Sequence, residues 1–178
     1  MTITELERCI DSYGKDIYGF CRQITGGIQD GEDLYQDTFM KAVELSEKID
    51  MNQNPKSYLI SIAVRLWKNR RRKYAWRQRI AGMESMDEAE EAGKTLPGIN
   101  QAAPEEELLI REQAAFVQKC ISELEEKYRI PICMYYSAEL SVKEIAGCLK
   151  LPEGTVKSRL HKARTIIKEK LEANGYDR

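Results

Sequence analysis

The sequence has few residues that break regular structure: 11 glycines and 5 prolines among 178 residues. This content is too low for a loop-rich β-sandwich or a doubly wound sheet, and it favours helices. No run of 18 apolar residues occurs, so we expect no membrane insertion. The length allows one ordinary domain or two small ones, with little room for a large enzymatic cleft.

The sequence also lacks clusters of catalytic or metal-ligating residues. His161 is the only histidine, the five cysteines form no C-x-x-C pair, and no phosphate loop or nucleophile–base pair is present. We therefore expect no enzyme activity, no metal and no cofactor. The cysteines lie at apolar helical positions, and Met1 to Asp11 contains no signal-peptide pattern. These features predict buried thiols in a cytoplasmic protein.

Charge is distributed unevenly, although the formal net charge is only −1. Residues 65–79 contain eight cations and no acid, whereas residues 82–107 contain eight acids, one lysine and several glycines and prolines. The second segment is typical of a flexible linker. We therefore predict an all-α fold of two small helical domains, residues 1–81 and 108–178, joined by an acidic, flexible linker over 82–107.

Apolar spacing of three and four residues predicts the helices of the first domain. One helix covers residues 6–24 and ends at Gly26-Gly27, and a second covers about 32–48. A third begins at Asn54-Pro55, an N-cap followed by proline at the first helical position. The second helix is amphipathic with an acidic start, which is compatible with either a surface helix or a docking face for a partner.

A helix-turn-helix is predicted from Leu140 to Arg164. A capping box, Ser141-Val142-Lys143-Glu144, begins a short helix, and a tight turn at residues 150–154 precedes a longer basic helix from Thr155. Val156, Leu160 and Ala163 fall on its buried side. The other side carries the candidate DNA contacts: Thr155, Lys157, Ser158, Arg159, His161 and Lys162.

The basic segment 65–79 interleaves Trp67, Tyr74 and Trp76 with its cations. Aromatic rings beside positive charge are typical of sites where single-stranded bases stack. Trp67 either belongs to the core or stacks on a base. Tyr74 and Trp76 lie beyond the apolar stripe and are the better contact candidates.

Two motifs resemble those of the bacterial RNA polymerase sigma factors of the sigma-70 family, in the extracytoplasmic-function (ECF) group with only regions 2 and 4. Residues 32–39, EDLYQDTF, are similar to the family's EDLxQxxF, and residues 154–164, GTVKSRLHKAR, are similar to its GTVxSRxxRAR. The resemblance spans nearly the whole chain. It implies a factor that binds core RNA polymerase, recognises a promoter and helps to melt its DNA.

The resemblance also assigns roles to positions. The second helix would dock on the β′ clamp helices of polymerase, and the helix-turn-helix would read the −35 element beside the β flap. The segment 50–56 would capture an unstacked −10 base, and the third helix would hold duplex and displaced strand. The polymerase-binding candidates are Asp33, Leu34, Gln36, Asp37 and Phe39. The candidates for −10 recognition and melting are Asn52, Asn54, Lys56, Arg65, Lys68, Arg71, Arg72, Tyr74 and Trp76.

The third helix departs from the family's ARNxxxDxxR pattern, because Arg65 replaces the asparagine and Asn69 replaces the aspartate. Both changes raise the positive charge. The resemblance further implies promoter DNA and an anti-sigma factor as partners. The alternative from the residues alone is a helix-turn-helix regulator that binds an operator independently of polymerase.

Overall fold

The computed structural model describes residues 2–46, 54–81 and 105–176. This part of the chain forms seven α-helices and no strand, which confirms the all-α prediction. None of the described helices meets the length and apolarity needed to cross a bilayer. Most of the predicted linker, residues 82–104, lies outside the described residues.

The first domain consists of α1 (Ile3–Thr25), α2 (Ile28–Glu44) and α3 (Pro55–Ala81). Helix α1 ends at Gly26, whose φ of 79° is the left-handed conformation that glycine adopts without strain. Gly27 then caps α2 directly. Because this turn takes only two residues, α2 begins at Ile28 and not at the predicted residue 32.

Helices α1 and α2 approach closely at Gly31. A Cβ on Gly31 would stand 2.8 Å from Arg22 Cα, a distance that side chains do not tolerate. The absence of a side chain therefore allows the two helices to bury Phe20, Ile24 and Leu34 between them and α3.

The second domain consists of α4 (Glu105–Ser122), α5 (Glu126–Tyr136), α6 (Val142–Leu149) and α7 (Glu153–Ala173). Helix α4 begins at Glu105 and so includes residues 105–107, which the sequence analysis placed in the linker. Met134, Ile145, Val156 and Leu160 fill the space among α5, α6 and α7. The two domains also touch, through contacts of α3 with α6 and of α1 with α4 and α5.

Candidate nucleic-acid interface

The turn between α6 and α7 orients the basic helix. At its start, the Ser141 N–H donates to Glu144 Oε2 at 2.7 Å, and the Glu144 N–H donates to Ser141 Oγ at 3.3 Å. The predicted capping box is therefore formed. After α6, Lys150 takes a left-handed φ of 54°, and the Leu151 N–H donates to Ala146 O at 3.0 Å. This turn sends α7 across α6 as in a helix-turn-helix.

The burial of α7 separates its two faces. Val156, Leu160 and Ala163 have exposed fractions of 2% or less, as their spacing predicts. On the opposite side Lys157, Ser158, His161 and Lys162 are exposed, and Thr155 and Arg159 are half-buried. Within the described residues, none of the four basic side chains of this set forms an ion pair. The two lysines and the arginine of this set are therefore available for an external anion.

Arg164, the last residue of the second motif, has a structural role. Its Nε donates to the Tyr136 hydroxyl at 2.9 Å, and its Cζ lies 5.3 Å from the centre of the Tyr135 ring. A guanidinium over an aromatic face is attracted by the ring's quadrupole. Arg164 thus ties α7 to α5.

Helix α3 extends well beyond the core of its domain. Its last buried side chain is Trp67, and residues 71–81 are all exposed. Trp67 is only 5% exposed, so it belongs to the core, whereas Tyr74 and Trp76 are 58% and 65% exposed. The projecting half of α3 therefore carries cations and two accessible aromatic rings on one helix.

Several of the predicted −10 contacts already have partners. Lys56, with a side chain only 11% exposed, pairs with Asp16 at 2.5 Å. Asn54 accepts from the Ser57 N–H at 3.2 Å as the N-cap of α3, and its Nδ2 donates to Glu144 of the second domain. Arg72 donates to Asn69, one of the two residues that depart from the family pattern, at 2.6 Å. Arg65 and Lys68 are exposed, and Asn52 lies outside the described residues.

The surface of α2 differs in part from the prediction. Leu34 is 0% exposed and Phe39 is 8% exposed, because both point into the core, where Phe39 packs edge-on against Tyr35 at 4.9 Å between ring centres. They are therefore not surface contacts, and this part of the predicted set is corrected. Asp33 and Gln36 are exposed, and Asp37 is exposed while it pairs with Arg70 at 2.5 Å.

Two surface residues of α2 were missed by the sequence analysis. Met40 is 66% exposed and Val43 is 50% exposed. Together with Asp33 and Gln36 they follow a spacing of three, four and three residues, which places all four on one face of α2. The signal that identifies them is this spacing, continued past the end of the motif. Neighbouring exposed apolar side chains often mark an interaction site.

The described residues contain no group of three or more His, Cys, Asp or Glu side chains arranged to hold a metal ion. A cleft of about 830 Å³ lies between the domains and is open to solvent. It is lined by Trp67, several cations of α3, and Glu126 and Arg129 of α5. The geometry thus provides charged binding surfaces around an open interdomain cleft.

Comparison with known proteins identifies the two domains. Residues 9–77 match the model of sigma-70 region 2, and residues 117–167 match that of sigma-70 region 4. The chain is 31% identical over 166 residues to the ECF RNA polymerase sigma factor SigW of Bacillus subtilis, covering 91% of this chain and 86% of the relative. It is 30% identical over 144 residues to the ECF RNA polymerase sigma-E factor of Escherichia coli, covering 80% and 74%.

Two solved structures share the fold. The sigma factor RpoE of Bartonella quintana, in complex with the anti-sigma factor NepR, superposes with a TM-score of 0.76 at 19% identity, over 99% of this chain and 100% of that one. CnrH, in complex with the cytosolic domain of CnrY, gives a TM-score of 0.65 at 17% identity, over 98% and 92%. The sigma factors that match in sequence do not favour the alternative of a polymerase-independent regulator. The chain belongs to the ECF group of the sigma-70 family of RNA polymerase sigma factors, and it directs transcription.

Proposed function

We propose that the exposed face of α7 reads the −35 element of a promoter. The observation that carries this proposal is the helix-turn-helix geometry, in which the buried stripe of α7 turns Lys157, His161 and Lys162 outward, without ion-pair partners among the described residues. Lysines suit phosphates, whereas the Ser158 hydroxyl and the His161 ring suit base edges. The Ser158 hydroxyl also donates to Thr155 O at 2.9 Å, which orients its lone pairs outward.

The second element of the proposal is α3 from Arg65 onward, which holds the −10 region. Arg65, Lys68, Arg71 and Arg72 would contact phosphates, while Tyr74 and Trp76 would stack on bases of the melted strand. A flipped base costs a few kcal/mol of lost stacking, and contacts of this kind offset the cost. Asn52, Asn54 and Lys56 would line the place where the base is captured.

The third element is docking on core RNA polymerase through α2. The proposed surface comprises Asp33, Gln36, Asp37, Met40 and Val43, and it faces the β′ clamp helices. Leu34 and Phe39 support this surface from below by packing it on the core. A small apolar patch beside carboxylates suits a partner that is both apolar and basic. In the same assembly, the second domain would lie beside the β flap.

The partners and location follow from this role. Polymerase supplies the chemistry of RNA synthesis, so the chain itself needs no catalytic group. It works where the polymerase and the chromosome are, in the cytoplasm. RpoE was solved in complex with the anti-sigma factor NepR, and CnrH was solved in complex with the cytosolic domain of CnrY. We propose a regulator of the anti-sigma kind for this chain too.

Transcription from a promoter library tests the proposal. The purified chain, core polymerase and a pool of random promoter fragments are combined, and the transcripts are sequenced. We expect initiation only when both proteins are present, downstream of two spaced sequence elements. Failure to bind core polymerase, or tight sequence-specific DNA binding that does not need polymerase, would contradict the sigma mechanism.

A further inference from the structure

The cleft between the two domains, called the interdomain cleft below, has more positive than negative charge on its walls. Its lining cations outnumber its lining carboxylates five to two. The cations are Lys68, Arg70, Arg71 and Arg72 of α3 and Arg129 of α5. The carboxylates are those of Asp30 and Glu126. An anion that enters the interdomain cleft therefore meets net positive charge.

Little of this positive charge is neutralised within the chain. Among the described residues, three of the five cations form no ion pair: Lys68, Arg72 and Arg129. Arg71 Nε is 4.0 Å from Glu126 Oε2, which is too long for a hydrogen bond. Only Arg70 has a close carboxylate, that of Asp37 at 2.5 Å. Most of the lining cations are thus free to bind an external anion.

Arg129 is the least compensated of these cations. It is 8% exposed, and its Nε is buried without a hydrogen-bond partner among the described residues, although Nη1 donates to Ser122 O at 2.8 Å. Burial and the nearby Arg71 lower the pKa of Arg129. A buried charge without a counter-charge loses hydration that one carbonyl replaces only in part. A bound anion would supply the missing compensation.

The side chain of Trp67 holds two of the guanidiniums close together. Arg129 Cζ lies 5.0 Å from the centre of the Trp67 ring, and Arg71 Cζ lies 5.1 Å from the same centre. A guanidinium presents its donors in a planar fork that matches the oxygens of a phosphate group. Because Trp67 is buried in the core, it restricts the positions of both forks. The two arginines are therefore arranged in advance for phosphate groups that lie side by side.

The size of the interdomain cleft suits a ligand larger than a single phosphate. Its volume of about 830 Å³ falls within the range of roughly 300–1,000 Å³ that is usual for small-molecule sites. Tyr74, which is 58% exposed, also lines the cleft and offers a ring face on which a base could stack. The walls thus combine phosphate-binding cations with an accessible aromatic ring.

We propose that the interdomain cleft binds a diphosphate group, of the kind that nucleotides carry, between Arg129 of the second domain and Lys68, Arg71 and Arg72 of α3. This inference goes beyond the proposed function, which assigns no role to Arg129 and no small ligand to the chain. A DNA strand carries single phosphates spaced along its backbone, whereas a diphosphate concentrates its charge at one point. The clustered guanidiniums around Trp67 favour the concentrated charge.

Calorimetric titration of the whole chain tests the site without DNA or polymerase. Inorganic pyrophosphate and ADP are the probes, at an ionic strength of about 0.15 M, where weak surface attraction is screened. We expect Arg129→Gln to weaken the binding of pyrophosphate at least ten-fold. Lys127→Gln is the matched control, because Lys127 lies on the same helix outside the lining of the cleft and pairs with Glu125 at 2.8 Å. It should bind pyrophosphate as the wild type does.

The two probes distinguish the source of the diphosphate. Tighter binding of ADP than of pyrophosphate would support a nucleotide ligand, and equal binding would support recognition of the diphosphate alone. No binding of either probe by the wild type, or unchanged pyrophosphate affinity in Arg129→Gln, would overturn the inference.

A second variant avoids the loss of a buried side chain. Glu126→Gln removes a half-buried carboxylate from the wall of the interdomain cleft, so pyrophosphate should bind at least two-fold more tightly. Glu125→Gln, which makes the same charge change on an exposed residue outside the lining, should leave the affinity unchanged. Equal affinities of these two variants would contradict a site in the cleft.

Binding of a promoter fragment by polymerase with each variant separates the diphosphate site from the DNA interface. If Arg129→Gln weakened DNA binding and left pyrophosphate binding unchanged, Arg129 would belong to the DNA interface and the inference would be overturned. A chain that bound pyrophosphate through Arg129 but did not bind core polymerase would contradict only the proposed function.

Discussion

Lys157 and Lys162 lie on the exposed side of α7, five residues apart along the helix. Neither packs on the core, and neither has an ion-pair partner among the described residues. Their loss should therefore change binding and leave folding intact. Lys168 lies on the same helix but forms an ion pair, with 3.3 Å between its Nζ and Glu172 Oε1.

We expect Lys157→Ala with Lys162→Ala to reduce promoter-dependent transcription several-fold. Each lost phosphate contact should lower the slope of log affinity against log salt by roughly one. Holoenzyme binding to a promoter fragment over a range of salt concentrations measures both effects. Lys168→Ala, on the same helix, should retain wild-type values; a double variant with unchanged slope and output would remove the two lysines from the interface.

The buried and exposed residues of α2 should respond differently to substitution. Phe39→Ala leaves a cavity and should lower the free energy of unfolding by about 3–5 kcal/mol, and Leu34→Ala by about 2–5 kcal/mol. Asp33 and Met40 lie on the surface, so Asp33→Ala and Met40→Ala should each change the free energy of unfolding by less than about 0.5 kcal/mol. Urea unfolding followed by circular dichroism measures this difference.

Among folded variants, affinity for core polymerase should depend on the exposed residues of α2. Asp33→Ala and Met40→Ala remove groups from the proposed docking surface, so each should weaken binding several-fold. Lys41→Ala is a suitable control, since Lys41 pairs with Glu44 on its own helix. If both surface variants bound as tightly as the wild type, α2 would not be the docking element.

At the scale of elements, α1 and α2 depend on the missing side chain of Gly31. Gly31→Ala forces a Cβ to within 2.8 Å of Arg22 Cα, so the helices must separate and the first domain should lose stability. A Cβ added to Gly147 in α6 would meet no atom within 4 Å. Gly147→Ala should therefore stabilise the protein by about 0.5–1 kcal/mol through helix propensity. Thermal unfolding should show a lower melting temperature for Gly31→Ala and a higher one for Gly147→Ala. Equal and small changes in melting temperature would contradict this account of the α1–α2 contact.

The capping box of α6 makes a prediction about pH. Hydrogen bonds from Ser141 hold the pKa of the Glu144 carboxyl below its ordinary value of 4.5. A lowered folded-state pKa stabilises the protein above the unfolded-state pKa, and that stabilisation is lost as the pH falls through the folded-state value. Ser141→Ala should therefore cost about 0.5–2 kcal/mol at neutral pH. The difference from wild type should shrink in acid.

Unfolding free energies measured from neutral pH to below pH 4 check this expectation. Ser141→Thr keeps the hydroxyl and should follow the wild type. A difference between Ser141→Ala and wild type that stayed constant over the whole range would show that the ionised Glu144 does not contribute.

At the scale of the molecule, positive and negative charges are concentrated in different parts of the chain. The chain as a whole carries −1, yet α3 presents its cations on a projecting helix and the face of α7 is basic. Such a protein does not coat DNA generally, because its net field is weak. Specific binding therefore depends on how the two basic helices are presented relative to each other, which the domain arrangement controls.

The five cysteines report on the integrity of this arrangement. Four are buried and Cys148 is half-buried, as the sequence predicted for buried thiols. Burial raises the pKa of Cys21 and of Cys133 to about 12, so these thiols are protonated and unreactive at neutral pH. We expect iodoacetamide to modify the native protein slowly, and Cys148 first if the domains separate, while denatured protein takes up five equivalents. Rapid modification of Cys21 or Cys133 in native protein would contradict the packing described.

The sequence alone was sufficient for local structure. The Ser141–Glu144 box, the Gly26 stop and the Asn54-Pro55 start are determined by side chains within a few residues of each other, and all three occur as predicted. Periodicity also separated the buried and exposed sides of α7. In α2 the apolar spacing likewise placed Leu34 and Phe39 on the buried side, and it was the resemblance that assigned them to a partner although they fill the core.

What the sequence by itself determined is the set of helices, their caps and the two family motifs, because these depend on contacts between near neighbours in the chain. The tertiary structure decided which face of α2 is free, that Trp67 is a core residue, and that Glu126 and Glu144 meet Arg71 and Asn54. Helical spacing defines faces but does not say which other element each face meets. Packing between residues far apart in sequence decides which elements meet, and it places carboxylates of the second domain against polar side chains of the first.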